Sequence, residues 1–228
     1  MLRAPFGGGA MTVRGARLMA SGLATPKWNN ADITAVDFDR DSVVDWYARH
    51  DVPWGVRVPL EFDVEIGEPL FEKRCAGLLP NEFKPAPTIK AISVRQATPT
   101  DLDAYAAVER VRFGGDDQLE RRWLGPAIGA PGFHHWIAAF RDEPVGVAMT
   151  VSTDELAGPA GYLAGVATAP AWANRGLEAM LAGWAARAAF DAGATLVHTN
   201  PDEDERTWVA ELGFVEVPGF LVRVVRLI

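Results

Sequence analysis

Residues Gly161 to Gly193 read GYLAGVATAPAWANRGLEAMLAGWAARAAFDAG, and this stretch decides the fold. Leu163 to Thr168 is apolar or small and too short for a free-standing helix, so it predicts a buried strand. Pro170 ends it. Asn174 is the expected cap of the helix that follows, its side-chain oxygen accepting from a backbone N–H one turn in. Leu177, Met180, Leu181, Trp184, Ala185 and Ala188 recur at three- and four-residue steps, which makes one apolar stripe on a helix of about five turns. Gly193 is its natural stop. A strand that runs into a glycine-bearing helix N-terminus points several N–H groups at one space, with the positive end of the helix dipole behind them. Such a space suits a phosphate.

With Glu211-Leu212-Gly213-Phe214 downstream, the stretch resembles the acyl-CoA-binding core of the GCN5-related N-acetyltransferases. In that family a strand ending in V-x-V precedes an R/Q-x-x-G-x-G/A turn that wraps the CoA pyrophosphate. The corresponding strand end here is Val166, Ala167 and Thr168, and the turn is Ala173, Asn174, Arg175, Gly176, Leu177 and Glu178. The central glycine matches, whereas Ala173 and Glu178 replace the first and last positions. The resemblance implies an α/β (α+β) fold, a mixed, mostly antiparallel central sheet flanked by helices. It also implies acetyl-CoA as cosubstrate, held by these nine residues, and an amine as acceptor.

Composition sets bounds on this reading. At 228 residues and 49% hydrophobic content, the chain can bury one substantial core with a small second lobe beside it. A net charge of −8 argues against a surface built for nucleic acid or anionic membrane, while leaving room for local basic patches. Cys75 is the single cysteine, so no intrachain disulfide forms, and its expected role is that of a small apolar residue. The N-terminal residues hold no apolar run of signal-peptide type, and no stretch reaches the roughly 18 apolar residues of a membrane span. A cytoplasmic protein is expected.

Three segments follow in order. Residues 1–30 form a flexible or helical N-terminal segment, a glycine-rich tail over Met1–Ala10 and then a short helix over Val13–Gly22. Residues 31–88 form a small αβ subdomain: a helix capped by Asp41 or Ser42, a strand over Trp54–Val58, and a second helix over Leu70–Leu79. Its order parallels the C-terminal part of the chain, which suggests an N-terminal half-copy of the larger fold. Asp37, Asp39 and Asp41 alternate like a calcium loop, but Ser42 and Ala48 stand where glycine and glutamate are needed, and no metal is assigned.

Residues 89–228 form the main domain. It starts with a strand at Ile92–Gln96 and a helix opened by Thr98-Pro99-Thr100-Asp101 that reaches about Val111. A second helix over Gln118–Leu124, a hairpin of Phe133–Phe140 and Pro144–Val151, and the strand Tyr162–Thr168 follow. Gly165 within that strand marks a bulge or a close backbone approach. A strand at Thr195–Thr199, a helix opened by Asn200-Pro201-Asp202-Glu203, and a hairpin of Phe214–Val217 with Phe220–Ile228 complete the chain. Arg110, Arg112, Arg121 and Arg122 make the first helix pair locally basic. Trp123, Trp136 and the last strand either pack into the core or bury in a homodimer.

Acyl transfer to an amine dictates the remaining candidates. An alkyl amine with a pKa near 10.4 must lose a proton before it attacks, and the thiolate that leaves must gain one. Backbone N–H groups on a splayed strand can stabilise the oxyanion between these events. Family members often protonate the thiolate with a tyrosine three residues before the leucine of the L-G-F motif, and Val209 stands there. Tyr162 is the alternative acid and His198 a base acting through water, with Glu109 and Asp154 as further bases. His134 and His135 point to opposite faces of one strand, so at most one reaches a site. No Ser-His-Asp, zinc or Walker pattern is present. Glu178 opposes CoA: a carboxylate about 4 Å from a phosphate costs about 1 kcal/mol in water and about 4 kcal/mol at intermediate polarity. Ala173, Glu178 and Val209 together favour the alternative of a non-catalytic ligand-sensing or protein-interaction module on the same fold.

Overall fold

Period-two alternation governs the start of the chain. Ala16, Leu18 and Ala20 are buried while Arg17 and Met19 lie half-buried between them, and the segment forms strands in place of the expected helix over Val13–Gly22. Strands β1 (Gly9–Val13) and β2 (Ala16–Ala20) close a hairpin at Gly15, whose φ of 67° favours glycine. Strand β3 (Asn29–Ile33), helix α1 (Arg40–His50), β4 (Trp54–Pro59) and β5 (Glu68–Leu78) follow. Next come β6 (Ile92–Gln96), α2 (Leu102–Phe113), α3 (Asp117–Ala127), β7 (Phe133–Phe140), β8 (Glu143–Glu155) and β9 (Gly158–Thr168). Helix α4 (Leu177–Asp191), β10 (Leu196–Thr199), α5 (Arg206–Glu211) and β11 (Val215–Val225) complete the order. This computed structural model describes residues 8–155 and 158–225, with the backbone alone at Asp154 and Glu155. Most of the glycine tail assigned to Met1–Ala10, the side chain of Asp154 and the end of the last strand therefore lie outside the described residues.

The chain divides into two units, the first made of Met1–Cys75 with Val217–Ile228 and the second of Ala76–Glu216. In the first, β1, β2 and β3 are antiparallel neighbours, β4 runs parallel to β3, and β11 pairs antiparallel with β4. Helix α1 connects the parallel pair and buries Val43, Trp46 and Tyr47 in a core with Leu18, Trp54 and Val56. Asp39 caps α1, accepting from the Ser42 N–H at 3.1 Å and from its hydroxyl at 2.8 Å. The cap thus sits two residues before the expected Asp41, and capping accounts for the middle member of the acidic alternation.

In the second unit, β6, β7, β8 and β9 are antiparallel in sequence order, β10 runs parallel to β9, and the end of β5, Ala76–Leu78, pairs antiparallel with β10. Leu70–Leu79 was expected as a helix. Its last residues instead fill the place beside β10, because a strand position there pairs the β10 backbone and buries Ala76 and Leu78. The hairpin expected at the C-terminus is likewise one continuous strand, β11. Gly219 passes so close to the Lys73 carbonyl that a Cβ would lie 2.0 Å from its oxygen, a close approach rather than a turn.

Helix α4 lies on one face of this sheet. A Cβ on Gly161 would come within 3.0 Å of the Ala189 Cβ, and one on Gly146 within 2.6 Å of Leu181. Leu163, Leu177, Leu181, Val197 and Leu212 fill the core between them. Trp136 packs against that core and Trp123 is buried. Alternation along the strands turns His135 and Tyr162 to the opposite face, where α2 packs.

Candidate active site

The parallel pairing of β9 with β10 runs from Ala160–Leu196 to Leu163–Thr199 and stops. Strand β9 continues to Thr168, so beyond Leu163 its backbone on that side has no partner strand in β10. At this point the β8–β9 register slips by one residue between Val147 and Met149, and Gly165 takes φ 62°. The bulge expected at Gly165 is therefore present, beside the gap between the strands.

Glu109, on the sheet-facing side of α2, reaches this bulge. A Cβ on Gly165 would lie 3.3 Å from the Glu109 Oε1. Tyr162 and His198 are cross-strand partners whose rings stack at 5.1 Å, on the same face as Glu109. Tyr162 lies three positions before Gly165, roughly 10 Å of backbone. The structure thus brings Tyr162 and His198 into contact and sets Glu109 further along the same strand. Val209, where the family places its acid, is buried against the core and carries no proton to give.

On the same helix face as Glu109 stands a residue that escaped the sequence reading, and against it stands His135, the one of the two strand histidines that faces α2. Tyr105, one turn earlier on α2, is wholly buried, and its hydroxyl has no hydrogen-bond partner. Burial pushes its phenol well above the ordinary range, and the Glu109 charge adds to the shift. His135 meets the Tyr105 ring edge-on at 5.2 Å, and neither of its ring nitrogens has a partner. Burial lowers its pKa to about 4, helped by His134, so it is neutral at pH 7. The signal that could have found Tyr105 is its four-residue spacing from Glu109, which places both on one helix face.

Beyond Thr168 the chain makes one short turn and enters α4. Gly176, at φ 79°, occupies the cap position expected for Asn174, which itself takes the left-handed φ of 59° two residues too early to cap. The first N–H groups of α4 lack acceptors within the helix. Val166, Ala167, Thr168 and Leu177 are buried beneath this turn, while Ala173, Asn174 and Arg175 are exposed, the Arg175 guanidinium lying over the Trp172 ring at 5.8 Å. Glu178 does not pair with Arg175. Its Oε1 accepts from the Thr168 hydroxyl at 2.5 Å. The carboxylate that replaces the last family glycine is therefore held by the hydroxyl that replaces the second valine.

Of the four arginines on α2 and α3, Arg110, Arg112 and Arg121 are held in ion pairs and Arg122 is exposed. Arg110 pairs with Asp117, Arg121 with Asp117 and Asp103, and Arg112 makes a two-pronged pair with Asp204 in the turn before α5. In that turn Asp202, in place of the expected Asn200, forms the capping box with Glu205. Among the described residues no cluster of His, Cys, Asp and Glu could hold a metal ion, and no helix is long and apolar enough to cross a membrane.

Residues 102–214 match the model of the acetyltransferase (GNAT) family. The chain carries a GNAT acetyltransferase domain. A GCN5-related N-acetyltransferase from Kribbella flavida shares the fold with TM-score 0.74 at 15% identity, over 95% of this chain and 89% of that one. A functionally unknown conserved protein from Staphylococcus epidermidis matches with TM-score 0.68 at 12% identity, over 96% and 94%. A predicted acetyltransferase with acetyl-CoA from Clostridium acetobutylicum matches with TM-score 0.50 at 15% identity, over 55% of this chain and 91% of its own. No curated protein sequence matches. Within the GNAT domain, the opening between β9 and β10, the bulge at Gly165 and the N-terminus of α4 adjoin along one strand.

Proposed function

We propose that the GNAT domain, residues 89–228, transfers an acetyl group from acetyl-CoA directly to a small amine in a ternary complex. The observation that carries this reading is the Glu109 carboxylate beside the Gly165 bulge, where β9 leaves β10. Acetyl-CoA would lie along β9, its pyrophosphate toward the N–H groups of Gly176, Leu177 and Glu178 and its thioester toward the bulge. The backbone fits such a ligand, since first-turn N–H groups bind phosphate whatever their side chains. The Glu178 side chain opposes it by charge, although its bond to Thr168 turns it toward the strand end.

The acceptor ammonium gives a proton to Glu109, or through water to His198. The amine nitrogen then attacks the thioester carbonyl carbon. Backbone N–H groups at the bulge take up the oxyanion charge, the C–S bond breaks as the intermediate collapses, Tyr162 protonates the thiolate, and the second proton leaving the nitrogen as the amide forms passes through water to restore the Tyr162 phenol. The cluster supplies both proton roles without the family tyrosine that Val209 replaces. A reducing, cytoplasmic setting suits a chain with a single cysteine.

The first unit supports a second part of this reading. Its order of β3, α1, parallel β4 and antiparallel β11 repeats the order of β9, α4, parallel β10 and antiparallel β5. We read it as a partial copy of the domain that serves as structure. Its first helix turn is already closed by Asp39, which leaves no phosphate turn there. The alternative, a ligand-sensing or protein-interaction module, rests on Ala173, Glu178 and Val209. Calorimetric titration of the full chain with acetyl-CoA, and with CoA and ATP as controls, decides between the two. Saturable binding of acetyl-CoA or CoA but not ATP supports the transferase, and no binding up to millimolar ligand supports the module.

A further inference from the structure

Tyr105 keeps a hydroxyl in the interior with nothing bonded to it. A buried donor without a partner is costly, and a phenylalanine would fill the same space without that cost. Tyr105 stands one helical turn before Glu109, and both side chains face the sheet on the side of the Gly165 bulge. Around it stand His135 on β7, with both ring nitrogens unbonded, and further along the same face Tyr162 on β9 and His198 on β10. His135 is neutral at pH 7 and brings no charge to the cluster. Glu109 is therefore the one anion in this group.

We propose that Tyr105 is a positioning residue for Glu109, its hydroxyl donating to the carboxylate as Glu109 turns to receive the proton of the acceptor amine. The inference rests on Glu109 acting as the base. The ammonium proton passes to the carboxylate, the freed nitrogen pair forms the C–N bond, and Tyr105 keeps its own proton throughout. A donor to the charged form lowers the basicity of a carboxylate and fixes its orientation. Its burial keeps water from taking the same place.

The test compares Tyr105→Phe with wild type in the full chain. Carbon-13 NMR titration follows the Glu109 carboxyl, assigned through Glu109→Gln, with and without acetyl-CoA. The expected result is that Tyr105→Phe moves the Glu109 midpoint upward by about one unit, a tenfold change in proton affinity, while its melting temperature stays level or rises. An unchanged midpoint in both conditions overturns the positioning role, as does a lowered melting temperature with no shift. Release of CoA from acetyl-CoA with n-butylamine separates the two ideas. Equal rates for wild type and Glu109→Gln sink the base assignment itself, whereas a large loss in Glu109→Gln with an unshifted Tyr105→Phe sinks only the present inference.

Discussion

A carboxylate in the first turn of a helix is favourable by itself, because it faces the positive end of the dipole. Glu178 has that advantage and the Thr168 hydroxyl as well, so the free protein gains from a group that a bound pyrophosphate would be repelled by. Glu178→Gln keeps the hydrogen-bonding shape and removes the charge. Acetyl-CoA should then bind about tenfold more tightly, the lower part of the 1 to 4 kcal/mol range for charges about 4 Å apart. Calorimetry reads this directly, and equal affinity would mean that the carboxylate does not face the phosphates. His135 gives a second prediction at this scale. Burial holds its pKa at about 4 against 6.5 in the unfolded chain, so between these values the unfolded state binds more protons. Stability is thus full above pH 6.5 and is lost as pH falls toward 4, by about 3 kcal/mol in all. Glu205, raised by burial, acts in the opposite sense as pH rises through the carboxylate range. Urea unfolding at steps from pH 7 to pH 4 should show the loss, and His135→Leu should flatten it.

The elements that position the site were legible where local chemistry and tertiary pairing agree. Pro170, the apolar stripe of Leu177, Met180, Leu181 and Ala185, and Gly193 fix α4 from within its own sequence, although Trp184, expected in that stripe, is exposed, and the Thr98 to Asp101 box starts the segment that becomes α2. Gly165 could be read as a bulge because a lone glycine in a strand has few other uses. What escaped was set by partners far along the chain. Leu70–Leu79 has no local signal for pairing with β10, and the Thr168–Glu178 bond joins two positions that look like independent departures until they are seen to touch. Tyr105 looked like any helix aromatic, because only β7 and the bulge make its hydroxyl an orphan. The bulge also yields a prediction. Gly165→Ala forces a Cβ into a left-handed residue and to 3.3 Å from the Glu109 Oε1, so it should displace the carboxylate. We expect a loss of about 1 to 2 kcal/mol in stability and a larger proportional loss of acetyl transfer than any site-distant change of equal stability, measured as kcat beside the melting curve.

Across the whole molecule, the chain returns to the first unit to complete it: the second unit opens with Ala76–Leu78, the end of β5, which pairs with β10, while β11 follows the second unit's stretch and pairs with β4. This crossing is why a sequence parallel drawn in strict order placed the helix–strand pair around α1 correctly and the elements after it wrongly. It also makes the last residues structural for the first. Phe220–Val225 supply the antiparallel neighbour of Trp54–Pro59, and Arg223 donates to the carbonyls of Ile66 and Gly67 at 2.8 and 3.0 Å. A chain ended after Glu216 would leave β4 with one bare edge and the core of Trp54, Val56 and Tyr47 open on that side, a pairing template of the kind that native proteins cover. Hydrogen exchange should then show amide protection lost in β2, β3 and β4 while β7, β8 and β9 retain theirs, since none of the latter pairs with β11. Uniform loss in both sets would show that the two units fold as one cooperative body, and full retention would show that the first unit holds without its last strand.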